Sequence, residues 1–103
     1  MTELTEDILD KVVAENPQVL VQYGATWCGN CRLIKPKFKR LSGTHEDIVF
    51  VYVDAEKLPN SRALATVNNL PTFAAFKNGT LVGQKAGNKE EIIKNLIDEI
   101  ANH

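Results

Sequence analysis

Apolar residues recur along the chain with two different spacings, and this pattern predicts alternating helices and strands. Residues 5–15 have the spacing of an amphipathic helix, which Pro17 ends. Residues 19–23 form a strand that is apolar on both faces, as expected for a central strand covered by helices. A second helix is predicted over residues 28–42, with Gly43 in a left-handed conformation just past its end. The buried side chains of this helix are predicted to be Leu33, Ile34, Phe38 and Leu41.

The middle of the chain predicts one further strand and one short helix. Residues 48–53 are β-branched or aromatic throughout, which is typical of a buried strand. Asn60 or Ser61 is expected to cap the short helix that follows. A short edge strand is also expected near Leu4.

A hairpin and a final helix complete the pattern. Asn78-Gly79 favours the two positive φ angles of a type I′ turn and separates predicted strands over residues 72–76 and 81–85. Residues 89–101 have one apolar helical face. A strand–helix–strand unit requires parallel strands joined by a right-handed crossover, and a hairpin adds antiparallel strands. The prediction is therefore a single α/β domain with a mixed sheet.

Length, composition and charge narrow the function classes. The chain has 103 residues, of which 44% are hydrophobic and 24% charged, so it is neither disordered nor collagen-like. Twelve basic against thirteen acidic residues give a net charge of −1, and this balance does not favour binding to nucleic acid. The acidic first residues do not resemble a signal peptide, and the longest apolar run is too short to span a membrane. We expect a cytoplasmic protein, unless an export signal has been removed.

The two cysteines, Cys28 and Cys31, are the clearest candidates for chemistry. They are too few for a disulfide-stapled scaffold, and they fall where a strand ends and a helix begins. Free amides and the dipole at a helix N-terminus stabilise a thiolate. Cys28, nearer the open end, is the expected nucleophile, and Cys31 can fold back to resolve a mixed disulfide. The alternatives are structural thiols or half of a zinc site, but zinc needs about four ligands and only His45 and His103 remain.

Four short motifs, in this order and spacing, make the chain resemble the thioredoxin family over nearly its whole length. They are Trp27-Cys28-Gly29-Asn30-Cys31, Leu70-Pro71-Thr72, Phe76-Lys77-Asn78-Gly79 and Ala86-Gly87. The resemblance implies the thioredoxin fold over residues 1–103, a central mixed β-sheet flanked by helices on both faces. It also implies a thiol–disulfide oxidoreductase that reduces protein disulfides through a reversible Cys28–Cys31 dithiol.

The same resemblance implies how substrates dock. Pro71 should follow a cis peptide bond beside the disulfide, with Leu70 presenting backbone groups to a substrate strand. Without the resemblance, Pro71 would be a trans proline that begins a strand, and Trp27 could be a core residue. Pro36 should bend the active-site helix. The residues implied to contact substrate are Trp27, Gly29, Asn30, Leu70, Pro71, Ala86 and Gly87.

No metal or bound cofactor is implied. Reducing equivalents would come from NADPH through a thioredoxin reductase, and the other partners would be disulfide-containing proteins. The chain itself is expected to be a monomer. Two alternatives remain open: a thiol oxidant or disulfide isomerase, and a thioredoxin-like binding module that does not use its thiols. The second helix carries a basic run, Lys35, Lys37, Lys39 and Arg40. We interpret this run as solvated surface in preference to a docking patch for acidic partners.

Three positions depart from the family pattern. Asn30 stands where proline is usual, and its added N–H and side-chain amide predict a more stable Cys28 thiolate and a less reducing potential. Gln22 stands where the family has a buried aspartate, and Phe50 where a lysine often accompanies it. An amide cannot accept the proton of the Cys31 thiol, which predicts slower release of the mixed disulfide.

Overall fold

A computed structural model describes residues 1–103 and contains one five-stranded sheet in the order β1-β3-β2-β4-β5. The strands are β1 (Thr2–Glu3), β2 (Gln18–Gly24), β3 (Val49–Asp54), β4 (Thr72–Lys77) and β5 (Thr80–Ala86). The helices are α1 (Leu9–Glu15), α2 (Gly29–Ser42), α3 (Pro59–Arg62) and α4 (Glu90–Ala101). Strands β1, β3 and β2 are parallel, whereas β4 is antiparallel to β2 and β5 to β4. The predicted mixed α/β sheet is confirmed.

The central strand β2 divides the core into two layers. Val19, Val21 and Tyr23 belong to the apolar cluster that α1 and α3 cover. Leu20 belongs to the opposite cluster, which is covered by α2 and α4. Because side chains alternate along a strand, Gln22 points to the same face as Leu20, toward α2. Helices therefore cover both faces of the sheet.

The hairpin between β4 and β5 has the predicted turn. Asn78 has φ of 52° and Gly79 has φ of 82°, so both central residues are in the left-handed region that a type I′ turn requires. The N–H of Asn78 also donates to the carbonyl of Pro17 at 2.8 Å, which ties the turn to the chain just before β2.

Two predictions about α2 are wrong. Leu33 is 71% exposed rather than buried. The buried residues lie at spacings of three and four, and Leu33 falls outside that stripe because each residue turns the helix by about 100°. They are Cys31, Ile34, Phe38 and Leu41. Gly43 is right-handed, with φ of −70°, because the last turn closes through its N–H to the carbonyls of Arg40 and Leu41.

Two N-terminal helix boundaries also differ from the prediction. Helix α1 begins at Leu9 rather than near residue 5, and neither Asn60 nor Ser61 caps α3. Instead, the Asp7 carboxylate accepts hydrogen bonds from the N–H groups of Asn60 at 2.9 Å and Ser61 at 2.6 Å. The Ser61 hydroxyl in turn accepts from the N–H of Leu9 at 3.1 Å. The segment before α1 and the start of α3 therefore satisfy each other's free backbone groups.

The same junction is tied to the central strand. The Tyr23 hydroxyl donates to the Ser61 carbonyl at 2.8 Å, and burial raises the pKa of the Tyr23 phenol above its ordinary value. Burial also acts to raise the pKa of Asp7, but the hydrogen bonds from Ser61 and Asn60 outweigh it, so the pKa of Asp7 is lowered. Asp7 therefore stabilises the fold in its charged form.

We predict that Asp7→Asn lowers the Tm at neutral pH and that the loss disappears in acid. A lowered folded-state pKa means that the contribution is complete above the ordinary value of 3.8 and is lost as the pH falls through the folded-state value. Thermal unfolding of both proteins from pH 7 to pH 2.5 measures this difference. Asp10→Asn, at an exposed position in the first turn of α1, is the matched control. Equal losses in the two variants, or a loss that does not shrink as the pH falls, would contradict a role for the Asp7 charge.

Candidate active site

Cys28 and Cys31 lie in the first turn of α2, just beyond the end of β2, and they form a disulfide with their Cα atoms 5.3 Å apart. Cys28 is the N-cap residue, and its Sγ accepts a hydrogen bond from the N–H of Cys31 at 3.2 Å. This N–H is one of the free donors at the helix start, where the helix dipole also favours negative charge. Cys28 is 5% exposed and Cys31 is fully buried. The predicted relation between the two sulfurs and the helix terminus is present.

A loop with a cis proline lies against the disulfide. The Leu70–Pro71 peptide bond is cis, as the resemblance implied, and Leu70 packs against the small apolar cluster that contains both cysteines. The Pro71 carbonyl accepts a hydrogen bond from the N–H of Gly87 at 3.0 Å. Gly87 has φ of 143°, a conformation that residues with a side chain rarely adopt, and a Cβ there would also lie 2.6 Å from Cδ1 of Ile92. The two predicted loop motifs therefore meet beside the cysteines.

Trp27 is a surface residue beside the disulfide and not part of the core. Its side chain is 64% exposed. Its indole N–H donates to Glu56 Oε1 at 2.7 Å. Glu56 lies just after β3, where Asp54 Oδ1 accepts the N–H groups of Glu56 at 3.0 Å and Lys57 at 3.1 Å. The sequence analysis did not identify Glu56, because nothing local links it to a tryptophan 29 residues away.

Gln22 lies behind the disulfide, fully buried, with its amide held against α2. Its Nε2 donates to the carbonyl of Cys31 at 3.1 Å, while its Oε1 has no hydrogen-bond partner. Phe50 belongs to the apolar cluster under α2, with its ring 4.9 Å from that of Phe38. Both departures from the family pattern therefore place uncharged side chains on the sheet face under α2.

Asn30 has a different partner from the one expected. Its Oδ1 accepts a hydrogen bond from Asn88 Nδ2 at 3.1 Å, and both side chains are exposed. The hydrogen bond to Cys28 Sγ comes from the backbone of Cys31 instead. Asn88 was not predicted, since it is 58 residues from Asn30 and its type carries no local signal.

Two predicted contact positions, Gly29 and Ala86, lie at the surface. A Cβ at Gly29 would meet nothing within 4 Å. Ala86 is an exposed residue at the end of β5, where it pairs with Thr72 of β4. Pro36 lies inside α2, as predicted.

Part of the basic run on α2 is engaged within the chain. Lys35 forms an ion pair with Glu3 and lies 4.1 Å from the centre of the Tyr52 ring. Arg40 pairs with Glu90, which also contacts Lys94. Hydrogen bonds from Lys94 and Arg40 lower the pKa of Glu90. These contacts support the interpretation of the run as a solvated surface.

No three His, Cys, Asp or Glu side chains are grouped so that they could hold a metal ion. None of the four helices combines the length and apolar character needed to cross a bilayer.

Comparison with known proteins agrees with this geometry. The family model described as thioredoxin matches residues 1–99. Thioredoxin of Oryctolagus cuniculus is 37% identical over 95 residues, which cover 92% of this chain and 89% of that protein. Thioredoxin 1 of Plasmodium falciparum is 32% identical over 92 residues, 89% of this chain and 88% of that protein.

Solved structures show the same similarity. A structure of Plasmodium falciparum thioredoxin superposes with a TM-score of 0.89 at 29% identity, covering 96% of this chain and 98% of that one. Schistosoma mansoni thioredoxin superposes with a TM-score of 0.84 at 37% identity, covering 94% and 92%. With the Cys28–Cys31 disulfide at the start of α2, these similarities show that the chain belongs to the thioredoxin family and is a thioredoxin-type protein-disulfide reductase.

Proposed function

We propose that Cys28 attacks substrate disulfides and that Cys31 resolves the product. The Cys28 thiolate bonds to one substrate sulfur, and the other leaves as a thiolate that takes a proton. Cys31 then loses its proton and attacks Cys28 Sγ, which releases the second substrate thiol and forms the Cys28–Cys31 disulfide. Two electrons pass to the substrate. The observation that carries this assignment is that the helix-start N–H of Cys31 donates to the sulfur of Cys28, the less buried cysteine.

We further propose that Trp27, Leu70 and Gly87 mark the rim on which protein substrates dock. Trp27 is exposed beside the disulfide, and Leu70 packs directly against the cysteine cluster. The open space at Gly29 supports close approach of a substrate backbone from outside. Within this rim, the Pro71 carbonyl accepts a hydrogen bond from the N–H of Gly87. Ala86 extends the rim along β5.

Turnover requires that the disulfide be reduced again. We propose that NADPH supplies the electrons through a thioredoxin reductase, and that the chain works as a monomeric single domain on disulfide-containing proteins. A reducing compartment, the cytoplasm, suits this direction of electron flow, because disulfides there are kept reduced.

A redox titration tests the couple. Trp27 is the only tryptophan and neighbours Cys28, so its fluorescence should report a reversible two-electron transition in defined thiol–disulfide buffers. Because Asn30 adds a backbone N–H at the helix start, we expect a potential above about −270 mV, the value of an ordinary thioredoxin. Asn30→Pro should make the potential more negative, by up to about 30 mV for 1.4 kcal/mol of lost thiolate stabilisation. An unchanged potential would contradict the role of Asn30, and the absence of any reversible transition would favour a binding module.

Serine substitutions separate the two cysteines. Cys28→Ser should reduce protein-disulfide reduction to the uncatalysed background, because the nucleophile is lost. Cys31→Ser should instead accumulate a stable mixed disulfide between Cys28 and the substrate, because nothing resolves it. Mass spectrometry of the variants after exposure to a disulfide-bonded protein measures both outcomes. If Cys28→Ser traps the substrate and Cys31→Ser does not, the assignment is reversed.

Gln22 is proposed to slow resolution because it cannot take the proton of Cys31. Gln22→Asp should release the mixed disulfide at least tenfold faster at neutral pH than Gln22→Asn, its neutral counterpart of equal size. The same aspartate should lower the Tm, because a fully buried carboxylate is costly. Rapid-mixing fluorescence and thermal unfolding measure the two effects. Equal release rates in the two variants would show that proton transfer from Cys31 does not limit this step.

A further inference from the structure

Two side-chain hydrogen bonds flank the disulfide on opposite sides of β2. Trp27 is bonded to Glu56, which follows β3, and Asn30 is bonded to Asn88, which follows β5. In the sheet, β3 lies on one side of β2, whereas β4 and β5 lie on the other. The exposed indole therefore marks the β3 side of the disulfide, and the paired amides mark the β5 side.

The fold does not need the amide pair to hold the β5–α4 loop in place. Gly87 already anchors this loop through its N–H bond to the Pro71 carbonyl, and its positive φ suits only glycine. An exposed hydrogen bond adds little to stability, because water competes for the same groups. The paired amides of Asn30 and Asn88 are therefore not required by the fold, and their polar groups are accessible from solvent.

A polypeptide substrate that reaches Cys28 has to extend past the segments that surround it. With only 5% of Cys28 exposed, an incoming sulfur has to enter between the surrounding segments. The chain that carries this sulfur then extends over the rim on both sides. On the β5 side, it passes the first turn of α2 and the residue after Gly87, where the paired amides lie.

The Asn30–Asn88 pair has a donor and an acceptor that its own hydrogen bond does not use. Asn30 Oδ1 and Asn88 Nδ2 share one bond, which leaves the Asn30 NH₂ group as a donor and Asn88 Oδ1 as an acceptor. A peptide main chain offers a carbonyl and an N–H that match such a set. Neither amide carries a charge, so the match does not depend on the charge of the substrate.

We propose that Asn30 and Asn88 form a polar subsite that binds the main chain of extended polypeptide substrates and favours them over small disulfides. The proposal rests on the proposed reductase function and adds a specificity-determining residue, Asn88. The hydrogen bond between them favours one orientation of each amide, so the two act as a unit. Loss of either one should therefore remove most of the effect.

The experiment compares two disulfides with the same reacting group. One is the disulfide of N-acetylcysteine amide, and the other is the disulfide of a ten-residue peptide of glycine and serine around one cysteine. For Asn88→Ala, the ratio of kcat/KM for the peptide to kcat/KM for the small disulfide should fall about fivefold. This factor corresponds to the loss of one net hydrogen bond, and it should appear as a higher KM for the peptide. The double variant Asn30→Ala/Asn88→Ala should lower the ratio by no more than about the same factor.

Three controls separate binding from structural effects. Asn102→Ala, an exposed asparagine at the end of α4, should leave the ratio at the wild-type value. The redox potential of Asn88→Ala should equal that of the wild type, since Asn88 does not contact either sulfur. The fall in the ratio should also be the same in low and high salt, because the subsite is uncharged.

The outcomes distinguish this proposal from the function on which it rests. A wild-type protein that reduces neither disulfide would overturn the reductase function. Reduction of both, with an unchanged ratio in Asn88→Ala, would overturn the subsite alone. Independent, multiplying losses in the double variant would show that the two amides bind separately and not as a pair.

Discussion

The burial of β2 on both faces and both edges is the constraint on which the rest of the structure depends. Parallel β3 and antiparallel β4 satisfy its backbone, and two apolar clusters cover its side chains. A strand so enclosed can present chemistry only at its ends, and this chain does so at the carboxyl end. The chain leaves β2 at Gly24 and enters α2 at Gly29, with Cys28 as the helix cap. Tight packing thereby fixes the position of the reactive sulfurs relative to the sheet.

The site itself is assembled by contacts between segments that are distant in sequence. Leu70 and Pro71 come from the loop before β4, Gly87 and Asn88 from the loop after β5, and Glu56 from the loop after β3. Each of these loops follows or precedes a strand that neighbours β2 directly or through β4. The order and direction of the strands therefore bring every loop with a functional contact to the same end of the sheet. There the loops surround the nearly buried disulfide.

The sheet face under α2 carries two uncharged residues, Gln22 and Phe50, where the related pattern has a carboxylate and often a lysine. A neutral amide avoids the free-energy cost of a buried charge, and its donor satisfies the carbonyl of Cys31. The cost is chemical, since a neutral amide cannot accept a proton from a thiol. Its Oε1 is a buried acceptor without a donor.

The sequence by itself determined the architecture and the reactive pair, because both depend on local patterns. Strand and helix periodicity, the Asn78-Gly79 turn and the placement of Cys28 and Cys31 between a strand and a helix are readable within short windows. Helix boundaries depend on tertiary contacts as well. Residues 5–15 have a helical pattern, yet Asp7 lies before α1 and accepts hydrogen bonds from the N–H groups at the start of α3. The apolar type of Leu33 likewise suggested burial, although its angular position on α2 leaves it exposed.

Only the tertiary structure decided which polar side chains meet around the disulfide. The Trp27–Glu56 and Asn30–Asn88 bonds join residues 29 and 58 positions apart, and no residue type or spacing announces such pairs. The same holds for the amide of Gln22, whose donor faces Cys31 because β2 packs beneath α2. Local propensity sets which elements form, whereas the strand order and packing set which of their ends become neighbours. The reactive cysteines could therefore be identified from the sequence, whereas the polar side chains around them could not.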